Sequence, residues 1–230
     1  MSTPAPGATA ESKPVQQTLR PEQTLLPYHL LKWLVVSPLL HTALRMRITG
    51  AEHVPPSGPV ILASSHASHL DPVILANCAR RPVAFMAKEE LFRVPVLKSL
   101  IRVYGAFPVR RGTGDRGAIR TALEALEAGW AVGIFVGGTR TADGRVATPQ
   151  LGAAMIAAKA QVPIVPVAVG GTGRILPKGS VLPRLHSVAV AFGPPLDPPA
   201  DTRRAALEAV TALCTEQIHH LLEAGAATAD

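Results

Sequence analysis

Aromatic side chains make up only 4% of this 230-residue chain, and acidic residues are outnumbered by basic ones, 16 to 23. Nucleic-acid surfaces set stacking rings beside their cations, so the shortage of rings weighs against a nucleic-acid partner. Cysteine is nearly missing. Cys78 and Cys214 are too few and too far apart for a disulfide framework or a zinc motif, which fits a reducing compartment, and both read as core thiols rather than nucleophiles. No arginine-led apolar segment with a cleavage site opens the chain, so no secretory signal is expected. Neither G-x-x-x-x-G-K-[ST] nor G-x-G-x-x-G occurs, which removes nucleotide phosphate loops, and without G-x-S-x-G there is no hydrolase elbow. No apolar run reaches the ~20 residues that a bilayer-spanning helix needs.

What is present begins with charge. A formal net charge of +7 points to an anionic partner, whether a phosphate-bearing substrate, an acidic carrier protein or an anionic membrane surface. Residues 1–23 are rich in Pro, Ala, Ser, Thr and Gln without apolar periodicity and read as a disordered tail. Residues 24–46 are densely apolar but interrupted by Lys32 and Pro38. They suit an interfacial helical anchor, with Tyr28 and Trp33 at headgroup depth and Lys32, Arg45 and Arg47 toward anionic lipid. The alternative is a helix packed on the domain's own core.

From Arg47 the pattern alternates. Strand-like runs fall at Arg47 to Thr49, Val60 to Ala63, Val83 to Met86, Ala106 to Val109, Ala131 to Phe135, Ile164 to Val169 and Ser187 to Phe192. Helix-like runs fall at Pro72 to Ala79, Pro95 to Val103, Arg116 to Glu127 and Leu151 to Ala160, and a last helix from Thr202 to about Glu223 carries Leu207, Val210, Cys214, Ile218 and Leu221 at helical spacing, with Asp201 as its cap. Such alternation predicts one α/β sandwich domain over residues 47–225, with a mixed, largely parallel central sheet flanked by helices. Sites on such sheets gather at the carboxyl ends of strands.

The run Val60-Ile61-Leu62-Ala63 ends in Ser64-Ser65-His66, and Asp71 follows five residues after the histidine, just ahead of Pro72. On one continuous helix that separation would turn the two side chains about 140° apart. In a strand–turn–helix they can meet, with Asp71 at the cap and Pro72 at the first helical position. A carboxylate there can fix the imidazole's tautomer and stabilise the imidazolium, which describes a general base with its orienter. Two other readings stay open at this point: a simple cap beside an ordinary loop histidine, and a metal site made of His66, His69 and Asp71, for which no further ligand cluster appears. Three strand ends also carry cations. Lys88 follows the third run, Arg110 and Arg111 follow the fourth, and Arg140 closes Gly137-Gly138-Thr139-Arg140, where glycines admit backbone N–H groups to a ligand and a guanidinium can grip phosphate. Each alone is equally a solvated surface charge.

Four ordered blocks then resemble the 1-acylglycerol-3-phosphate acyltransferases of the glycerolipid acyltransferase superfamily, over about Ile48 to Leu196. His66 to Asp71 matches H-x-x-x-x-D, Gly105 to Arg110 matches G-x-x-F-x-x-R, Phe135 to Arg140 aligns with F-P-E-G-T-R, and Val162 to Val167 matches V-P-I-V-P-V. The resemblance implies acyl transfer from a thioester on acyl carrier protein or coenzyme A to the 2-hydroxyl of lysophosphatidic acid, without cofactor or metal. It implies His66 as base, Asp71 as orienter, and an acceptor site built from Lys88, Arg110, Gly137, Gly138, Thr139 and Arg140. It also implies a peripheral protein on the cytoplasmic face of a membrane. One block departs: Val136-Gly137 stands where the family has Pro-Glu, so a carboxylate of the acceptor site is missing.

Overall fold

A computed structural model of the chain describes residues 30, 34, 37–88, 106–109, 116–175 and 184–227. The expected tail, most of the expected anchor and the expected helix over Pro95 to Val103 lie outside these residues. In chain order the elements are α1 (Ser37–Leu44), β1 (Arg47–Thr49), β2 (Val60–Ser64), α2 (Asp71–Cys78), β3 (Val83–Lys88), β4 (Ala106–Val109), α3 (Arg116–Glu127), β5 (Ala131–Phe135), α4 (Gly152–Ala160), β6 (Ile164–Gly170), α5 (Thr172–Ile175), β7 (Ala189–Phe192) and α6 (Arg204–Ala227). They build a seven-stranded sheet in the order β1-β7-β6-β2-β5-β3-β4. All neighbours are parallel except β6 and β7.

Why these segments are strands follows from their burial. A parallel strand covered on both faces needs apolar residues throughout, and Val60 to Ala63 are each fully buried. Their side chains alternate between two cores. Val60 and Leu62 join Ile74, Leu75, Phe85, Val167 and Phe192 on the α2 face, whereas Ile61 and Ala63 join Trp130, Val132, Ile156, Cys214 and Ile218 under α3, α4 and α6. Pro108 is admitted because, among the described residues, β4 ends the sheet and pairs with β3 alone. Pro166 lies inside the sheet, but its carbonyl, which points the same way as its missing donor, meets the Gly193 N–H at 2.8 Å where β7 stops.

The helices follow the same logic. In α3, Ile119, Ala122, Leu123 and Leu126 recur at i, i+3, i+4 and i+7 and pack into the core. The expected stripe of α6 is borne out by Leu207, Cys214 and Ile218, all buried, and α6 lies along β6 and β7. Ahead of it, the Asp201 carboxylate accepts the Arg203 N–H at 2.8 Å. At the end of α1, Leu44 is buried in the α2-face core, so at least this turn packs on the domain. Among the described residues, no helix is long and apolar enough to cross a membrane. The strand expected from Ser187 is shorter, starting at Ala189, because the Val188 N–H is spent on the Leu44 carbonyl at the end of α1 and the Ser187 carbonyl is bonded by His186 Nδ1.

Candidate active site

The parallel block β2 to β6 ends at one edge of the sheet, and the loops that carry His66 and Gly137 to Arg140 leave it there. The loop after β2 carries His66. His66 Nδ1 donates to Asp71 Oδ2 at 2.8 Å, and the same oxygen accepts the Ala67 N–H at 2.7 Å and the Ser68 N–H at 2.8 Å. Two of those three donors are backbone amides that cannot accept, so the oxygen must be the acceptor throughout and the imidazole proton sits on Nδ1. That leaves the Nε2 lone pair free to take a proton.

One expectation is corrected here. Asp71 is not the helix cap: the cap position is Leu70, without a side-chain cap bond, and Asp71 is the first residue of α2. Instead of reaching forward to helical N–H groups, its carboxylate folds back over the loop that precedes it. The side chain is fully buried, and Oδ1 has no hydrogen-bond partner among the described residues.

The imidazole is held on a second side. It stacks on Phe135, the last residue of β5, with ring centroids 3.9 Å apart and planes 17° from parallel. Phe135 in turn faces Phe85 of β3 at 6.0 Å. Phe85 has room because its register partner is Gly133, where any Cβ would overlap the phenyl ring. A glycine inside an apolar strand is the sequence sign of such a close approach, yet neither Gly133 nor the stacking role of Phe135 was read from the sequence.

Below the histidine, Ser65 fastens the loop to β6: its N–H donates to the Val167 carbonyl at 3.1 Å and its hydroxyl accepts the Val169 N–H at 2.9 Å. The loop after β5 is fastened to the same turn. Val136 N–H donates to the Ser64 carbonyl at 3.0 Å and Thr141 N–H to the His66 carbonyl at 3.0 Å. Between these two bonds run Gly137, half-buried, and Gly138, Thr139 and Arg140, all exposed. Gly138 has φ +65, a left-handed turn that favours glycine. Gly137 needs no such freedom, since a Cβ there would make ordinary contacts with the Thr139 carbonyl at 3.5 Å and Val146 Cγ1 at 3.8 Å.

Lys88 is the last residue of β3 and pairs with Val109, the last residue of β4, which sets both chain exits on this edge. Arg110 itself lies outside the described residues. Further along, α6 braces the loop: His219 Nε2 accepts the Val146 N–H at 3.1 Å, and Arg145 pairs with Glu223 at 3.0 Å, holding that carboxyl below its usual range. A cleft of about 420 Å³ opens beside the turn, bounded by Ala67, Ala142, Gly170, Gly173, Ala191 and Leu222. Cys214 takes no part, since burial pushes its thiol up to about 12.

A buried acid steering an imidazole at the carboxyl edge of a largely parallel sheet is an arrangement suited to proton abstraction from a hydroxyl. The Acyltransferase family model matches residues 45–170, and the chain belongs to that family, the glycerolipid acyltransferases. Among individual relatives, the chloroplast 1-acyl-sn-glycerol-3-phosphate acyltransferase of Arabidopsis thaliana is 31% identical over 156 residues, covering 66% of this chain and 44% of that protein. The 1-acyl-sn-glycerol-3-phosphate acyltransferase of Bacillus subtilis is 29% identical over 152 residues, covering 66% of this chain and 73% of that one. The crystal structure of the 1-acyl-sn-glycerophosphate acyltransferase PlsC from Thermotoga maritima superposes with a TM-score of 0.62 at 29% identity, over 76% of this chain and 72% of that chain. The chain thus spans less than half the length of the plant relative.

Proposed function

We propose that this chain transfers a fatty acyl group from an acyl thioester, carried on acyl carrier protein or coenzyme A, to the 2-hydroxyl of 1-acylglycerol-3-phosphate, yielding phosphatidic acid. The observation that carries the reading is the Nδ1-to-Oδ2 bond of 2.8 Å between His66 and the buried Asp71. His66 Nε2 takes the hydroxyl proton as the oxygen attacks the thioester carbonyl carbon. A carbon–oxygen bond forms, the carbon–sulfur bond breaks, and the leaving thiolate takes the proton back from the imidazolium. A thiolate leaves readily, so no covalent acyl-enzyme is required.

Lys88, Arg110 and Arg140 are read as the cations that hold the acceptor phosphate, with Thr139 and the Gly137-Gly138 backbone lining the same place. The common edge at which β3, β4 and β5 end supports this assignment, since a clamp on the phosphate there would leave the hydroxyl toward His66. In our reading residues 24–46 anchor the protein peripherally on the cytoplasmic face of an anionic membrane, with residues 47–225 as the catalytic domain. Gly137 favours one second reading, the same chemistry on a different lyso-lipid: losing a charge-assisted bond to the acceptor removes about 1.5–3 kcal/mol.

The test is thiol release by purified protein from an acyl thioester in the presence of detergent-dispersed lysophosphatidic acid. Release that is acceptor-dependent and abolished by His66→Ala is expected. Release no greater than that of the His66→Ala protein, across a panel of lyso-lipid acceptors, would remove the proposal and leave a lipid-binding protein without turnover.

A further inference from the structure

The antiparallel step between β6 and β7 has a consequence for the surface around the site. Register carries one level across the sheet: Ser64 pairs with Val167, Gly170 at the end of β6 pairs with Ala189 at the start of β7, and Ala189 pairs with Arg47 at the start of β1. The beginnings of β1 and β7 therefore lie at the same edge as the end of β2, where His66 sits. Whatever leads into those two strands projects beyond the catalytic edge.

Into β1 leads α1, and into β7 leads the segment Arg184 to Val188. The two are stitched together, Val188 N–H donating to the Leu44 carbonyl at 3.1 Å and Arg47 N–H to the Val188 carbonyl at 2.9 Å. The segment is also tied to α5, with Arg184 N–H on the Ile175 carbonyl at 2.8 Å and Arg174 Nη1 donating to His186 Nε2 at 3.3 Å. On this fixed base Leu185 is 80% exposed, the most exposed large apolar side chain among the described residues. Arg184 next to it, Arg174 on α5, and Arg45 and Arg47 at the start of β1 are exposed, and among the described residues none of the four makes an ion pair. An exposed leucine on the same edge as arginines that have no carboxylate partner among the described residues matches a surface with negative headgroups above an apolar interior.

We propose that Leu185 with Arg174 and Arg184 forms a second bilayer contact, separate from the N-terminal anchor, which sets the catalytic edge against an anionic membrane. It goes with the reading of the acceptor as a bilayer lipid, but it is tested without turnover. The full chain is sedimented with vesicles of phosphatidylcholine, with and without phosphatidylglycerol. Arg174→Gln with Arg184→Gln is expected to lower the partition coefficient on anionic vesicles by about 25-fold, about fivefold per arginine, and to leave pure phosphatidylcholine unchanged. Leu185→Ser is expected to weaken partitioning to both vesicles by about tenfold.

Leu185→Trp guards against misfolded variants. Its added fluorescence is expected to be quenched by brominated lipid beyond that of the unmodified chain. Partitioning of the Ser and Gln variants equal to that of the unmodified chain, or no added quenching with Leu185→Trp, would overturn the proposal. So would variants that keep vesicle binding but lose thiol release only with acyl carrier protein as donor, an outcome that would assign this surface to the carrier.

Discussion

Asp71→Asn separates what the carboxylate does for the fold from what it does for the reaction. The N–H groups of Ala67 and Ser68 both point at Oδ2, so the asparagine must turn its oxygen to them and, with it, to His66 Nδ1. The tautomer is therefore kept, and the change removes only the charge. Three charge-assisted bonds become neutral ones, and the new NH₂ replaces Oδ1 where no partner stands. Together these cost about 3 kcal/mol of stability, a fall of about 6–12 °C in Tm for a chain of this size. For the reaction, a carboxylate and an imidazolium about 4 Å apart attract by about 4 kcal/mol at an effective dielectric of 20, so kcat should fall about a thousandfold. KM for the acceptor should stay within about threefold, because uniform binding is untouched. Thiol release over a range of acceptor concentrations, beside a thermal melt, checks both. A folded variant with kcat within about tenfold of the unmodified chain would refute the reasoning, reducing Asp71 to a loop fastener.

Other outcomes follow from the same geometry. Gly137→Glu places its Cβ in ordinary contact only, and under the lysophosphatidic acid reading it should raise kcat/KM for that acceptor about tenfold, the value of one charge-assisted bond; a flat result across an otherwise active protein would favour another lyso-lipid. Gly138→Ala meets the left-handed φ of +65 and should lose about 1 kcal/mol in a denaturant melt. Gly133→Ala drives a methyl into the Phe85 ring and should destabilise by about 1–3 kcal/mol while lowering kcat through the tilted Phe135–His66 stack. Cys214, its thiol pushed up to about 12 by burial, is protonated at neutral pH and becomes a thiolate only as pH rises through that value. Native protein should therefore resist thiol reagents at Cys214 and react there once unfolded, as mass spectrometry would register.

Much of this was legible in the sequence because local pattern and burial coincide. Val60 to Ala63 is apolar at every position, as a doubly covered parallel strand must be, and His66 and Asp71 are close enough in sequence for one turn to join them. The sheet order was not legible, since placing β7 beside β1 depends on pairing Arg47 with Ala189, far apart in the chain. Asp71 was misread as a cap because a carboxylate before proline has the same signature whether it reaches forward to the helix or back to the loop. The stacking role of Phe135 escaped notice for a related reason: an aromatic residue at a strand end reads as core, and only the pairing of β2 with β5 brings it against the histidine.

The bracing of the Arg145–Val146 loop by α6 also orders events at the ribosome. His219 and Glu223 are made long after His66 and Asp71, so a nascent chain carries that pair well before the strut that steadies the neighbouring loop has been translated. Because a domain folds as a unit, the cleft beside this turn, which Leu222 helps to bound, is finished only as the last helix closes over β6 and β7. A chain released before that helix is made would leave the cleft open on the α6 side.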